Sequence, residues 1–130
     1  MKRISALVAA FLLTGCTSLN RISDWSDTIE APPAGWDHKP NMPVTEIVVP
    51  FPNIDATCHG LLAAEDDPDH FRGCALVSKN ACIIVIPTIA YFVSVGMQVA
   101  TRHHEYAHCN GLVHGPGGHG WFTRQGVPVS

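Results

Sequence analysis

The stretch HHEYAHCNGLVHG, residues 103–115, gathers half of the eight histidines of a 130-residue chain. Its spacing decides how the rest is read. Residues four apart on an α-helix share a face, so His104 and His108 point the same way, one turn apart. Two imidazole nitrogens placed so can reach one Zn²⁺ at about 2.0–2.1 Å. Glu105 lies about 100° round the helix from His104, beside such a metal and not on it. There a carboxylate can take a proton from the metal's water. Asn110-Gly111 ends the helix, because glycine tolerates the positive φ that follows a helix cap. The chain can then turn back and present His114 as a third ligand. Three neutral ligands leave a fourth position open, which is the pattern of a catalytic site.

The remaining histidines are read differently. His103 points about 100° away from His104 and is expected as a core or rim residue. His119, in the glycine-rich GPGGHGWF of residues 115–122, is expected in solvent, within reach of the site as an extra ligand or substrate group. His38, His59 and His70 lack ligand spacing.

Upstream, ACIIVIPTIAYFVSVGMQVA (81–100) holds no charge over twenty residues. That is long enough to invite a membrane-spanning reading. Pro87 interrupts it, however, and its first part is β-branched. It reads as a buried strand, a turn at Pro87-Thr88, then a helix from about Ala90 that continues into the histidines. Val95, Val99, Tyr106 and Ala107 share the face opposite the ligands and are expected to pack on strands. CALVSKNACIIVIP (74–87) reads as a β-hairpin turning at Lys79-Asn80, which pairs Val77 with Cys82 and Cys74 with Val85. Val44 to Pro50 reads as another strand. FPNIDATCHG (51–60) reads as a turn-rich connection, LLAA (61–64) as a helical turn, and EDDPDH (65–70) as a solvated acidic loop. The fold class is α+β, with a short antiparallel sheet packed on one long active-site helix.

The chain opens as a targeting signal. Met1-Lys2-Arg3 is a basic start, Ile4 to Leu13 an apolar run too short to span a bilayer, and Leu12 to Cys16 (LLTGC) resembles a bacterial lipobox. Residues 1–15 are thus expected to be a lipoprotein signal peptide and Cys16 the lipidated first residue. Residues 16–42, proline-marked and polar, form a tether, and residues 43–130 the domain. Thr17 in place of Asp after the cysteine favours, by resemblance to lipoprotein sorting, the periplasmic face of the bacterial outer membrane. Without residues 1–15 the chain keeps six Lys and Arg against eleven Asp and Glu, a net charge of −5. No basic stripe survives, so nucleic acid is excluded as an expected partner. A monomer is expected.

Cys58, Cys74, Cys82 and Cys109 remain. An even count in a small oxidised domain suggests two disulfides. The hairpin register argues against a Cys74–Cys82 bridge, and Cys109 is placed to tie the helix to the sheet; the connectivity stays open.

The complete motif, HExxHxxGxxH from His104 to His114, resembles that of the metzincin clan of zinc metallopeptidases. The resemblance implies that His104, His108 and His114 bind Zn²⁺, that Glu105 is the general base, and that Gly111 permits the turn. It covers eleven residues. The clan also has a methionine turn downstream, whereas none of the sixteen residues after His114 is Met, and Met97 lies upstream on the helix. In zincins a strand beside the active helix pairs with an extended substrate; Ala81 to Ile86 is the candidate for it. Tyr91, Tyr106 and His119 are candidates by side-chain type to stabilise the transition state, Tyr106 the weakest because it points away from the metal. The expected function is a zinc-dependent hydrolase, a metallopeptidase acting on a peptide or protein with a water activated by Glu105. The alternative is a non-catalytic, metal-stabilised envelope lipoprotein with a structural or binding role.

Overall fold

A computed structural model describes residues 29–63, 71–90 and 93–130. The expected signal peptide, Cys16, the acidic loop and Tyr91 lie outside the described residues. The element order is β1 (Val44–Val49), α1 (Ile54–Leu62), β2 (Cys74–Val77), β3 (Cys82–Pro87), α2 (Val95–Cys109), β4 (Leu112–His114), β5 (Trp121–Thr123) and β6 (Pro128–Val129). The domain is α+β, with two three-stranded sheets ordered β1-β3-β2 and β4-β5-β6.

The uncharged run at 82–87 is apolar at nearly every position because β3 is covered on both faces. Cys82, Ile84 and Ile86 pack with Tyr106 and Cys109 of α2, while Val85 packs with Ile54 and Cys58 of α1. The hairpin register is the expected one, Val77 opposite Cys82 and Cys74 opposite Val85. Ser78 Oγ closes the turn by donating to the Ala81 carbonyl and accepting from its N–H. The first sheet is mixed, because β1 joins the other side of β3 in parallel. This overturns the placing of a substrate strand at Ala81 to Ile86. Both backbone edges of β3 are already paired, leaving no donors or acceptors for a peptide.

Two disulfides clip the two helices to opposite faces of this sheet. Cys58–Cys74 joins α1 to β2, and Cys82–Cys109 joins β3 to the end of α2. Each closes a loop long enough to be worth roughly 3–4 kcal/mol, substantial support for a small domain.

Residues 54–60, expected as turn-rich connection, are instead the body of α1. Ile54 and Cys58 form its buried stripe, four residues apart. Ala63 ends it in the left-handed conformation, φ 51°. The long helix α2 starts at Val95, later than Ala90, because Ser94 accepts from the Met97 N–H and caps it there. Its buried stripe is Met97, Thr101 and Glu105 together with Tyr106, Ala107 and Cys109. Val95 and Val99, expected to be packed, are 61% and 37% exposed. Asn110 and Gly111 (φ 106°) end the helix as the sequence predicts. No helix among the described residues is long and apolar enough to cross a membrane.

Two features lie outside the expected outline. The glycine-rich C-terminal stretch forms the second sheet, in strands of two or three residues. Residues 29–42, part of the expected tether, lie along the domain. Asn110 Nδ2 donates to the carbonyls of Trp36 (3.0 Å) and His38 (2.9 Å). Trp36 packs on the cluster of Ala107, Leu112 and Trp121, and Met42 on that around Ile84.

Candidate metal centre

His104 and His108 project from successive turns of α2, and His114 returns from β4. The three form a group able to hold a metal ion, with one ligand atom from each within 4.8 Å of the others. His104 Nε2 lies 3.3 Å from His108 Nε2 and 3.1 Å from His114 Nε2. Nitrogens bound to one tetrahedral ion at about 2.0–2.1 Å would be about 3.3–3.4 Å apart.

The protonation pattern fits the same ion. His104 Nδ1 meets the Glu30 carbonyl at 2.8 Å, and His108 Nδ1 meets the Leu112 carbonyl at 2.9 Å. A carbonyl only accepts, so both Nδ1 atoms carry the hydrogen. Burial holds both rings neutral, lowering their pKa to about 4. Their Nε2 atoms therefore face each other as bare lone pairs, an arrangement that a shared cation stabilises.

Trp121 forms the floor. Its ring centroid lies 4.8, 5.2 and 4.6 Å from those of His104, His108 and His114. It is 5% exposed, and its Nε1–H donates to the Ala31 carbonyl at 2.9 Å. Beneath the histidines the chain thus places a tryptophan, seven residues beyond the third. Its ring packs against all three imidazoles and limits their rotation.

Glu105 is 4% exposed, and its Oε2 is buried with no hydrogen-bond partner among the described residues. Burial raises its pKa to about 8. Gly73, just before β2, makes room for it. Two cavities of about 400 and 280 Å³ meet at His104, Glu105 and His114. The larger is bounded by Glu30, Arg72 and His119, the smaller by β2, His108 and Arg124.

The other sequence candidates separate clearly. His103 stays at the rim, 3.8 Å from Asp37 and outside the ligand group. His119 is exposed, as expected, and lines the larger cavity together with Glu105. Tyr106 is turned to the sheet, where its hydroxyl donates to Glu46 at 3.0 Å, and it is no candidate for the site. Cys58, Cys74, Cys82 and Cys109 are all in disulfides and ligate nothing. Glu30, Gly73, Trp121 and Arg124 carry no motif, and nothing in the sequence pointed to them. Comparisons with protein-family models, with curated proteins and with solved structures find no match, so the functional reading rests on this geometry.

Proposed function

We propose that the chain is a zinc-dependent hydrolase, a metallopeptidase carried on a lipid anchor at the periplasmic face of the bacterial outer membrane. The observation that carries the reading is the buried Glu105 carboxyl group, whose Oε2 has no hydrogen-bond partner among the described residues, beside three converging imidazoles. A closed structural site has no use for a carboxylate there. Zn²⁺ held by His104, His108 and His114 would supply Lewis acidity toward a carbonyl and acidify a water. Burial alone keeps Glu105 protonated at neutral pH, but a divalent cation beside it would favour the ionised form. As a carboxylate it takes the proton from the attacking water and passes it to the leaving amine. His119 lines the same cavity and is a side chain that could stabilise the oxyanion.

The substrate edge is β2. It pairs only with β3 among the described residues, and Cys74, Ala75 and Val77 line the smaller cavity. An extended peptide added there would run past Glu105.

A second reading has one observation in its favour: a metal would staple α2 to β4 and so secure the small second sheet without turnover. The test is zinc content and peptide hydrolysis of the full-length chain beside Glu105→Gln. The enzyme reading predicts bound zinc in both and a loss of turnover of roughly 10²–10⁴-fold in the variant. Equal hydrolysis in both would refute it, and zinc without hydrolysis in either would leave the staple.

A further inference from the structure

We propose that Glu30 is a positioning residue of the metal centre, and that it couples docking of residues 29–38 to metal binding. The proposal rests on the reading that the three histidines bind a metal.

A ligating imidazole needs a partner for its second nitrogen, which sets the tautomer and ring orientation and raises the ligand's basicity. His108 finds one close by in sequence, at Leu112. The other two ligands depend on one residue more than seventy positions upstream. The Glu30 carbonyl accepts from His104 Nδ1 at 2.8 Å. Its side-chain Oε2 faces His114 Nδ1 at 3.6 Å, and that nitrogen is buried without a hydrogen-bond partner among the described residues. Glu30 Oε1 meanwhile accepts from the Gly120 N–H at 3.1 Å, which holds the carboxylate in place. A shift of a few tenths of an ångström by the His114 ring, such as ligation would draw, completes the carboxylate–histidine pair.

The chemistry asks for a carboxylate. Three neutral imidazoles leave a divalent ion uncompensated, and an acceptor behind one of them supplies charge as well as direction. An amide at residue 30 that kept its oxygen on Gly120 N–H would turn its NH₂ toward the Nδ1–H of His114, donor against donor.

The adjoining residues extend the same clamp. The Ala31 carbonyl holds Trp121 under the site, while Trp36 and His38 are held by Asn110 at the end of α2. Metal that aligns the histidines therefore tightens this segment, and the docked segment tightens the metal, by the same free energy in each direction.

Zn²⁺ dissociation constants from competition with a chromogenic chelator test this, using the full-length chain, Glu30→Gln and Glu46→Gln. Glu46 bonds Arg102 and Tyr106 on the sheet and touches none of the ligands. Glu30→Gln is expected to weaken zinc roughly 10–100-fold and to alter the visible spectrum of bound Co²⁺, with Glu46→Gln at the wild-type value. Zinc bound equally by the wild type and Glu30→Gln would overturn the role of Glu30. A wild type that binds no zinc would overturn the three-histidine reading itself. Should Glu30→Gln not fold, amide hydrogen exchange of the wild type decides: zinc is expected to slow exchange across 29–38, and an unchanged rate there refutes the coupling.

Discussion

Gly73 and Glu105 are in such close approach that a Cβ on residue 73 would stand 2.8 Å from Glu105 Oε1. The same atom would meet Thr101 Cγ2 at 2.5 Å and the Val85 carbonyl at 3.0 Å. Backbone on one side and a packed helix on the other leave it nowhere to go. Gly73→Ala is therefore expected to destabilise the domain by about 1–3 kcal/mol and to push the carboxylate off its position. Denaturant unfolding gives the first quantity. Hydrolysis, measured with zinc content unchanged, gives the second; full activity in a zinc-loaded Gly73→Ala would contradict the placement of Glu105.

Stability of the metal-free protein should peak near neutral pH. His104 and His108 have native pKa values near 4 against an ordinary 6.5, both lowered chiefly by burial. Between those values the unfolded chain binds protons that the native chain refuses, so stability falls as pH falls through 6.5 toward 4. Glu105 is raised from 4.5 to about 8, so the native chain keeps a proton that the unfolded chain releases, and stability falls as pH rises through that window. Two histidines outweigh one glutamate below the ordinary histidine value, which places the maximum close to pH 6.5. Melting temperatures of chelator-treated protein from pH 4 to 9 check the shape; a monotonic curve would contradict it.

Returning zinc should stabilise the fold. At a hundred times the dissociation constant the gain is about 2.7 kcal/mol, visible as a higher melting temperature that a chelator reverses. His114→Ala should abolish most of that gain while leaving the metal-free melting point nearly as it was, since His114 is only partly buried.

Trp121 carries the floor of the site, so Trp121→Ala should cost about 3–5 kcal/mol and weaken zinc binding as well. Trp121→Phe keeps a smaller ring under the histidines and loses the bond to Ala31. It is expected to retain zinc better than the alanine variant, and equal zinc affinities in the two would remove the platform role.

Arg124 is exposed, lines the smaller cavity with Glu105 and His108, and has no partner among the described residues. A substrate carboxylate lying in that cavity would meet it. Arg124→Glu should shift preference from acidic toward basic peptides by roughly fivefold in KM, the scale of an exposed ion pair of about 1 kcal/mol. Unchanged ratios across a charge-varied peptide series would show that side chains do not bind there.

The ligand triad and the bond that secures it differ in how far apart their residues stand in the chain. His104, Glu105, His108 and Gly111 belong to one helix and its cap, so the helical repeat alone relates their directions, and the reading of the site from residues 103–115 needed nothing else. The hairpin of β2 and β3 is of the same kind, because a tight turn sets its register. The disulfides were only half legible: the count implied two bridges, but which cysteines meet depends on which helix covers which face of the sheet.

Local spacing along the backbone thus determined the histidine triad, the placement of Glu105 and the end of α2. Tertiary structure alone decided that β3 is central, that Trp121 lies under the imidazoles and that Glu30 backs two of them. The physical reason is reach: a helix or turn imposes its period over a few residues, whereas contacts spanning dozens of residues are chosen by how buried surfaces and their polar groups find partners. No pattern along the chain marks in advance the glutamate that will stand behind a histidine 74 or 84 residues away.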